Sequence, residues 1–312
     1  MTDLKHWPLT LLAGAALVAA GAPAWLALAL GLAIALVLPS AERAATLKPW
    51  TTRSLQVGVV ALGAGVNLGT VWRVGTEGAL LTAFGLVTAL LVARALGRLL
   101  DVNANTTLLL GAGTAICGGS AIAAVAAVID AEAQDVSVAL AVVFVLNAVG
   151  LLVFPPLGHA LALSEPVFGR WAALAIHDTS SVAGAGLAYG ATALEVATTM
   201  KLARALWIVP LTIAIALLRR RGDAKLGRVK WPWFILGFVA CAALFSAVPA
   251  IAPAAPMIVT MGRRALVLAL FLIGLGLSRD AITRAGVRPF ALGVSLWAIL
   301  AAASLPVARI VE

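Results

Sequence analysis

Three clusters of polar residues stand inside apolar sequence, and together they describe an anion site. The first is Gly111-Ala112-Gly113-Thr114-Ala115-Ile116-Cys117-Gly118-Gly119-Ser120. Clustered glycines weaken a helix by about 1 kcal/mol each relative to alanine and let backbone come close to a ligand. Ser120, followed by a clean apolar run, is the candidate N-cap of a second half-helix. The second cluster is His177-Asp178-Thr179-Ser180-Ser181, where Asp178 or Thr179 would cap the half-helix running on to Gly190. The third is Lys201 and Arg204, three residues apart and so on one helical face. Half-helix N-termini offer free N–H groups and partial positive charge. The hydroxyls of Thr114, Ser120, Thr179, Ser180 and Ser181 are neutral donors, and the two cations add full charge. With the backbone of Cys117, Gly118 and Gly119, this inventory suits a small oxyanion. His177 beside Asp178 offers a proton-accepting pair to couple to anion movement.

Each cluster has a plainer reading. The glycines could be a small-residue packing face between helices. The run 177–181 could be a loop outside the membrane. Lys201 or Arg204 could be paired structurally with Glu195 or Asp178.

What surrounds the clusters is membrane sequence. Of 312 residues, 62% are hydrophobic and 11% charged, with a mean hydropathy of +1.07. Soluble domains are about half apolar and a quarter charged, so this chain has too few charges to coat a globule. The expected fold is an all-α polytopic membrane protein, a single domain over residues 1–312. Apolar segments read at 9–21, 23–39, 55–70, 79–99, 105–130, 136–157, 166–190, 193–218, 232–249, 262–278 and 288–310, roughly 9–11 membrane segments. The polar clusters make 105–130 and 166–190 broken or re-entrant. Lys5 and the short stretch after it resemble a secretory signal, but apolar sequence resumes at Pro23, which favours a retained helix. Trp7, Trp25, Trp50, Trp72, Trp231 and Trp233 read as an interfacial belt at segment ends.

The net charge of +9 comes from basic loops. Residues 219–231 are the densest, with Arg219, Arg220, Arg221, Lys225, Arg228 and Lys230. Arg43, Lys48 and Arg53 mark 39–54, and Arg279, Arg284 and Arg288 mark 279–288. All three should be cytoplasmic, with the N-terminus inside and the C-terminus in the periplasm. No nucleic-acid surface, metal motif, cofactor motif or disulfide framework is present in the sequence. The expected partners are a small anion and the bilayer, and a homodimer is left open.

Two internal echoes organise the chain. Residues 62–68 (LGAGVNL) resemble 273–279 (IGLGLSR), and Ala115–Ala123 resembles Ala175–Ala183 at an offset of 60. They suggest halves near 23–157 and 166–310 of the kind secondary transporters use. If both broken segments are re-entrant, both echoes relate units of inverted direction; if both cross, the two echoes disagree.

These residues resemble the YeiH-like sulfate exporter family of bacterial inner-membrane proteins over nearly the whole chain. The resemblance is carried by the 111–120 block, Ala131-Glu132-Ala133, His177-Asp178, Lys201-Leu202-Ala203-Arg204 and Gly274-Leu275. It implies inverted repeats, a place in the broad superfamily of sodium/proton antiporters and bile-acid symporters, and anion transport coupled to protons or sodium. Asp178 stands where that family usually has Glu, and Thr179-Ser180-Ser181 replaces a more apolar or amide-bearing stretch. The competing readings are an anion channel, against which the internal repeats speak, and an intramembrane hydrolase using Ser120 or Ser180 with His177 and Asp178. The hydrolase lacks a nucleophile elbow, and neighbours in sequence seldom form a triad.

Overall fold

A computed structural model describes Gly14 and residues 24–37, 43–218, 233–276 and 286–310. The segment 9–21 apart from Gly14, the turn at Gly21–Pro23, the signal-like start, the basic loop 219–231, Arg279 and Arg284 lie outside the described residues. About 90% of the described residues are helical. Five helical stretches among the described residues are long and apolar enough to cross a membrane: Leu68–Leu99, Ala133–Ala160, Ala191–Leu218, Pro249–Gly276 and Val287–Ile310. The all-α polytopic membrane architecture is therefore present, with further expected segments realised as shorter or more polar helices.

Four helices pack together as one group: α1 (Ala24–Val37), α2 (Arg43–Leu62), α11 (Trp233–Ala247) and α12 (Ala255–Gly276). α12 makes the heaviest packing in the molecule, on α2 and α1. A Cβ on Gly31 would strike the Phe271 carbonyl, and one on Gly274 the Leu28 carbonyl, so only glycine allows α1 and α12 this close a crossing. Gly58 lies against Gly262 and Leu266, and Gly65 against Val259, which makes α2 and α12 antiparallel.

The second group holds α3 (Leu68–Leu99), α4 (Ala104–Ala115), α5 (Gly119–Ile129), α6 (Ala133–Ala160), α7 (Glu165–Ala175), α8 (Thr179–Tyr189), α9 (Ala191–Ala205), α10 (Ile208–Leu218) and α13 (Val287–Ile310). The two broken segments are hairpins. Near the start of α4, the Thr106 hydroxyl donates to Asp135 in the first turn of α6 at 2.6 Å, so α4 begins beside the place where α5 ends. In the second hairpin, Glu165 at the start of α7 accepts from the backbone N–H of Thr192 at 2.8 Å, just past the end of α8. Phe168 stacks on Tyr189 with ring centroids 3.7 Å apart, and the Tyr189 hydroxyl donates to the Leu163 carbonyl at 2.6 Å.

Each hairpin thus returns to the end it started from. α6, of 28 residues and about 42 Å, joins the base of one to the base of the other, so the hairpins enter from opposite ends. Each arm has 11 or 12 residues, about 17 Å, or roughly half the ~30 Å hydrocarbon thickness. The tips meet near the middle. One end of the bundle (end A) is tied by the Arg288 guanidinium on Asp101 at 2.8 Å. The other (end B) is tied by Leu68 N–H to the Ser246 hydroxyl at 3.1 Å and by Arg309 to the Leu161 carbonyl at 3.4 Å.

Several boundaries differ from expectation. The stretch 39–54, read as a loop, is helical from Arg43, and exposed Trp50 lies inside α2 rather than at a segment end. The apolar run 55–70 is not continuous: α2 stops at Leu62, a 3-10 turn spans Gly63–Gly65, and Asn67 caps α3 by accepting from Gly69 N–H at 2.8 Å. The segment 193–218 breaks at Leu206–Trp207 between α9 and α10.

Candidate functional site

The chain reverses at the first tip through Ile116–Gly118. Gly118 has φ +64° and ψ −122°, a conformation essentially confined to glycine. Gly118, not Ser120, is the N-cap of α5, and it offers no side-chain cap. The sequence expectation for Ser120 fails because the turn needs a positive φ at 118. That starts the helix early, and Ser120 falls in its first turn, exposed.

The second tip is Ile176–Asp178. Asp178 is the N-cap of α8: its carboxylate accepts from Ser180 N–H at 3.0 Å and from the Ser180 hydroxyl. The Asp178 N–H donates to Asn147 Oδ1 on α6 at 3.0 Å. Replacing Asp178 with Asn should leave stability nearly unchanged, because both residues cap well. Ala should cost about 1 kcal/mol, read by thermal unfolding of the purified protein; equal losses in both variants would assign the effect to charge instead.

The tips touch. His177 Nε2 lies 3.1 Å from the Thr114 hydroxyl, and His177 is fully buried. Lys201 and Arg204 come in from α9, both buried. Lys201 Nζ donates to the carbonyls of Ile176 at 2.7 Å and Ala173 at 3.3 Å. Arg204 Nη1 donates to the Ala173 carbonyl at 2.5 Å, and Nη2 to the Ala115 carbonyl of the other hairpin. From α13, Trp297 Nε1 donates to the Ala175 carbonyl at 3.1 Å. All these acceptors belong to the last turns of α4 and α7 or to the residue that follows α7. There the final carbonyls lack helical partners and the dipole is negative. The cations therefore cap two half-helices and bind the hairpins to one another. Among the described residues neither makes an ion pair with Glu195, Asp178 or any other carboxylate.

The structure thus gathers Thr114, Cys117, Gly118, His177, Asp178, Lys201 and Arg204 at or beside the tips. Thr179, Ser180 and Ser181 are buried in the first turn of α8, Gly119 is half-buried and Ser120 exposed. Three nitrogens here are buried without a partner: His177 Nδ1, Asn147 Nδ2 and Arg204 Nε. Asn147 was not singled out from the sequence. Its signal was there, as a lone amide in the apolar run 136–157, where an unpaired polar group is costly. Also unread were Glu77 and Arg170, whose Oε2 and Nε lie 3.9 Å apart, and Arg263, two turns into α12.

The profile of the family described as Conserved hypothetical protein 698 matches residues 9–293. A UPF0324 membrane protein of Bdellovibrio bacteriovorus is 47% identical over 283 residues, 90% of this chain and 86% of its own. One of Porphyromonas gingivalis is 46% identical, covering 89% and 84%, and one of Geobacter sulfurreducens 43% identical, covering 88% and 90%. No solved structure matches. Matched over nearly its whole length, the chain belongs to the Conserved hypothetical protein 698 family, whose relatives here are UPF0324 membrane proteins.

Proposed function

We propose that the protein is a secondary transporter that moves a small oxyanion, of the sulfate or sulfonate kind, across the bacterial inner membrane. The observation that carries this reading is the charge balance at the tips. Among the described residues, Lys201 and Arg204 are buried without ion pairs, and Asp178 is the one carboxylate placed at the tips. Formally one positive charge is left over, beside three buried nitrogens with no partner. A bound anion would balance the charge and accept from those nitrogens. Two hairpins meeting at mid-depth also match the way transporters line a site with interrupted helices. The resemblance to YeiH-like exporters supports the same substrate class.

Orientation follows from the basic stretches. Arg43 and Lys48 lie in the first turns of α2, Arg288 begins α13, and α10 ends at Leu218, after which the sequence turns strongly basic. The start of α2, the start of α13 and the end of α10 all lie at end A, which is the cytoplasmic end in this reading, and the C-terminus is periplasmic. His177 and Asp178 couple the anion to protons. Hydrolysis has less support, because the Ser180 hydroxyl serves Asp178 while His177 meets Thr114.

Proteoliposomes carrying the protein should take up labelled sulfate or ethanesulfonate with saturation. Lys201→Met should cut that uptake about tenfold or more, the equivalent of one lost hydrogen bond to a charge at about 1.5–3 kcal/mol. Unchanged flux would remove Lys201 from the site. Uptake of neither anion would overturn the reading.

A further inference from the structure

A cavity of about 170 Å³ lies toward end B, where the two helix groups meet. Leu62, Val66, Phe238 and Arg263 line it from the side of the four-helix group, and α9 supplies Glu195 and Thr198 from the other. It is separate from the hairpin tips. Thr198 is 1% exposed, and its hydroxyl has no partner. The Nε of Arg263 is likewise buried and unpartnered. Glu195 shares the cavity with Arg263, yet no ion pair joins them among the described residues.

Two opposite charges left unpaired in one partly apolar cavity select for a ligand that carries both signs. A simple anion would answer Arg263 and face Glu195 uncompensated; a simple cation would do the reverse. The volume equals that of about five or six waters, at ~30 Å³ each. We propose that this cavity is a binding site for a small zwitterion, a short amino acid or amino sulfonate. Its acid group sits on the Arg263 guanidinium and accepts from the Thr198 hydroxyl, its ammonium sits on Glu195, and its methylenes lie against Leu62, Val66 and Phe238. The proposal does not rest on oxyanion transport at the tips, and Lys201→Met should leave this binding intact.

The test is calorimetric titration of the full-length protein in detergent with glycine, β-alanine and taurine, set against propionate, ethanesulfonate and propylammonium. At least one zwitterion should bind about tenfold or more tighter than the singly charged molecule of matching length. Arg263→Gln and Glu195→Gln should each lose that preference. Thr198→Val, nearly isosteric, should weaken the zwitterion severalfold, which keeps the test decisive if a charge variant fails to fold. No zwitterion bound more tightly than its singly charged counterpart, a preference that survives Glu195→Gln, or no heat from any of the three zwitterions would overturn the proposal.

Discussion

Arg204→Met should loosen the protein at its centre, with a stability loss of about 2–4 kcal/mol and loss of any transport. Among the described residues outside the hairpins, the guanidinium is the one side chain that donates to both, to the Ala115 carbonyl of one and the Ala173 carbonyl of the other. Without it the Ala115 carbonyl has no side-chain donor, while Ala173 keeps only Lys201 at 3.3 Å. A buried polar group left unsatisfied costs about 1–3 kcal/mol. Methionine relieves the desolvation of a buried charge, which offsets part of the loss, but the negative ends of α4 and α7 then face each other with one cation instead of two. Lysine at 204 should rescue only partly, because a single ammonium lacks the planar fork that reaches two carbonyls. Cys117 reports the event locally, being buried at the first tip. In a Cys241→Ala background, maleimide should label Cys117 faster in Arg204→Met than in the parent. Equal labelling together with an unchanged unfolding midpoint would show that Arg204 does not hold the tips.

The hairpins were legible because hydrocarbon makes polar residues conspicuous. Gly-Gly-Ser and His-Asp-Thr-Ser-Ser have no cheap place in a continuous membrane helix, and both lie at the tips that the structure shows. The echo at an offset of 60 aligned one tip on the other. The two hairpins enter from opposite ends, with α6 joining their bases. The order of parts was less legible. Among the described residues, the order before Leu161 is helix pair, long helix, hairpin, long helix; after it, hairpin, the broken α9–α10 pair, helix pair, long helix.

What escaped the sequence were contacts that have no residue signature. The cations' partners are main-chain carbonyls, and every residue has one. Lys201 and Arg204 could be seen to need compensation, but not that half-helix ends supply it. The break at Gly63–Asn67 was hidden because its residues are as apolar as the helices beside it. The start of α2 was hidden for the opposite reason, since Arg43, Lys48 and Arg53 made a helix look like a loop.

Gly118→Ala isolates the backbone's part in the same structure. At φ +64° and ψ −122° an L-residue is strained by about 1–3 kcal/mol. The added methyl would also lie 3.1 Å from Val143 and 3.5 Å from His177 Cβ. The turn cannot easily shift to escape, because Gly118 N–H donates to the Gly113 carbonyl at 2.8 Å and its own carbonyl accepts from Ile122 N–H at 3.1 Å. The strain should therefore move the tip against His177, lowering the unfolding midpoint and cutting uptake about tenfold or more, as ~1.4 kcal/mol of lost binding or barrier energy would. Gly85→Ala gives the opposite sign. It lies inside α3, where a Cβ meets nothing within 4 Å, so alanine there should stabilise by up to about 1 kcal/mol through helix propensity. If both substitutions move the midpoint the same way, glycine at 118 is serving flexibility in general rather than the turn that brings the two hairpins together.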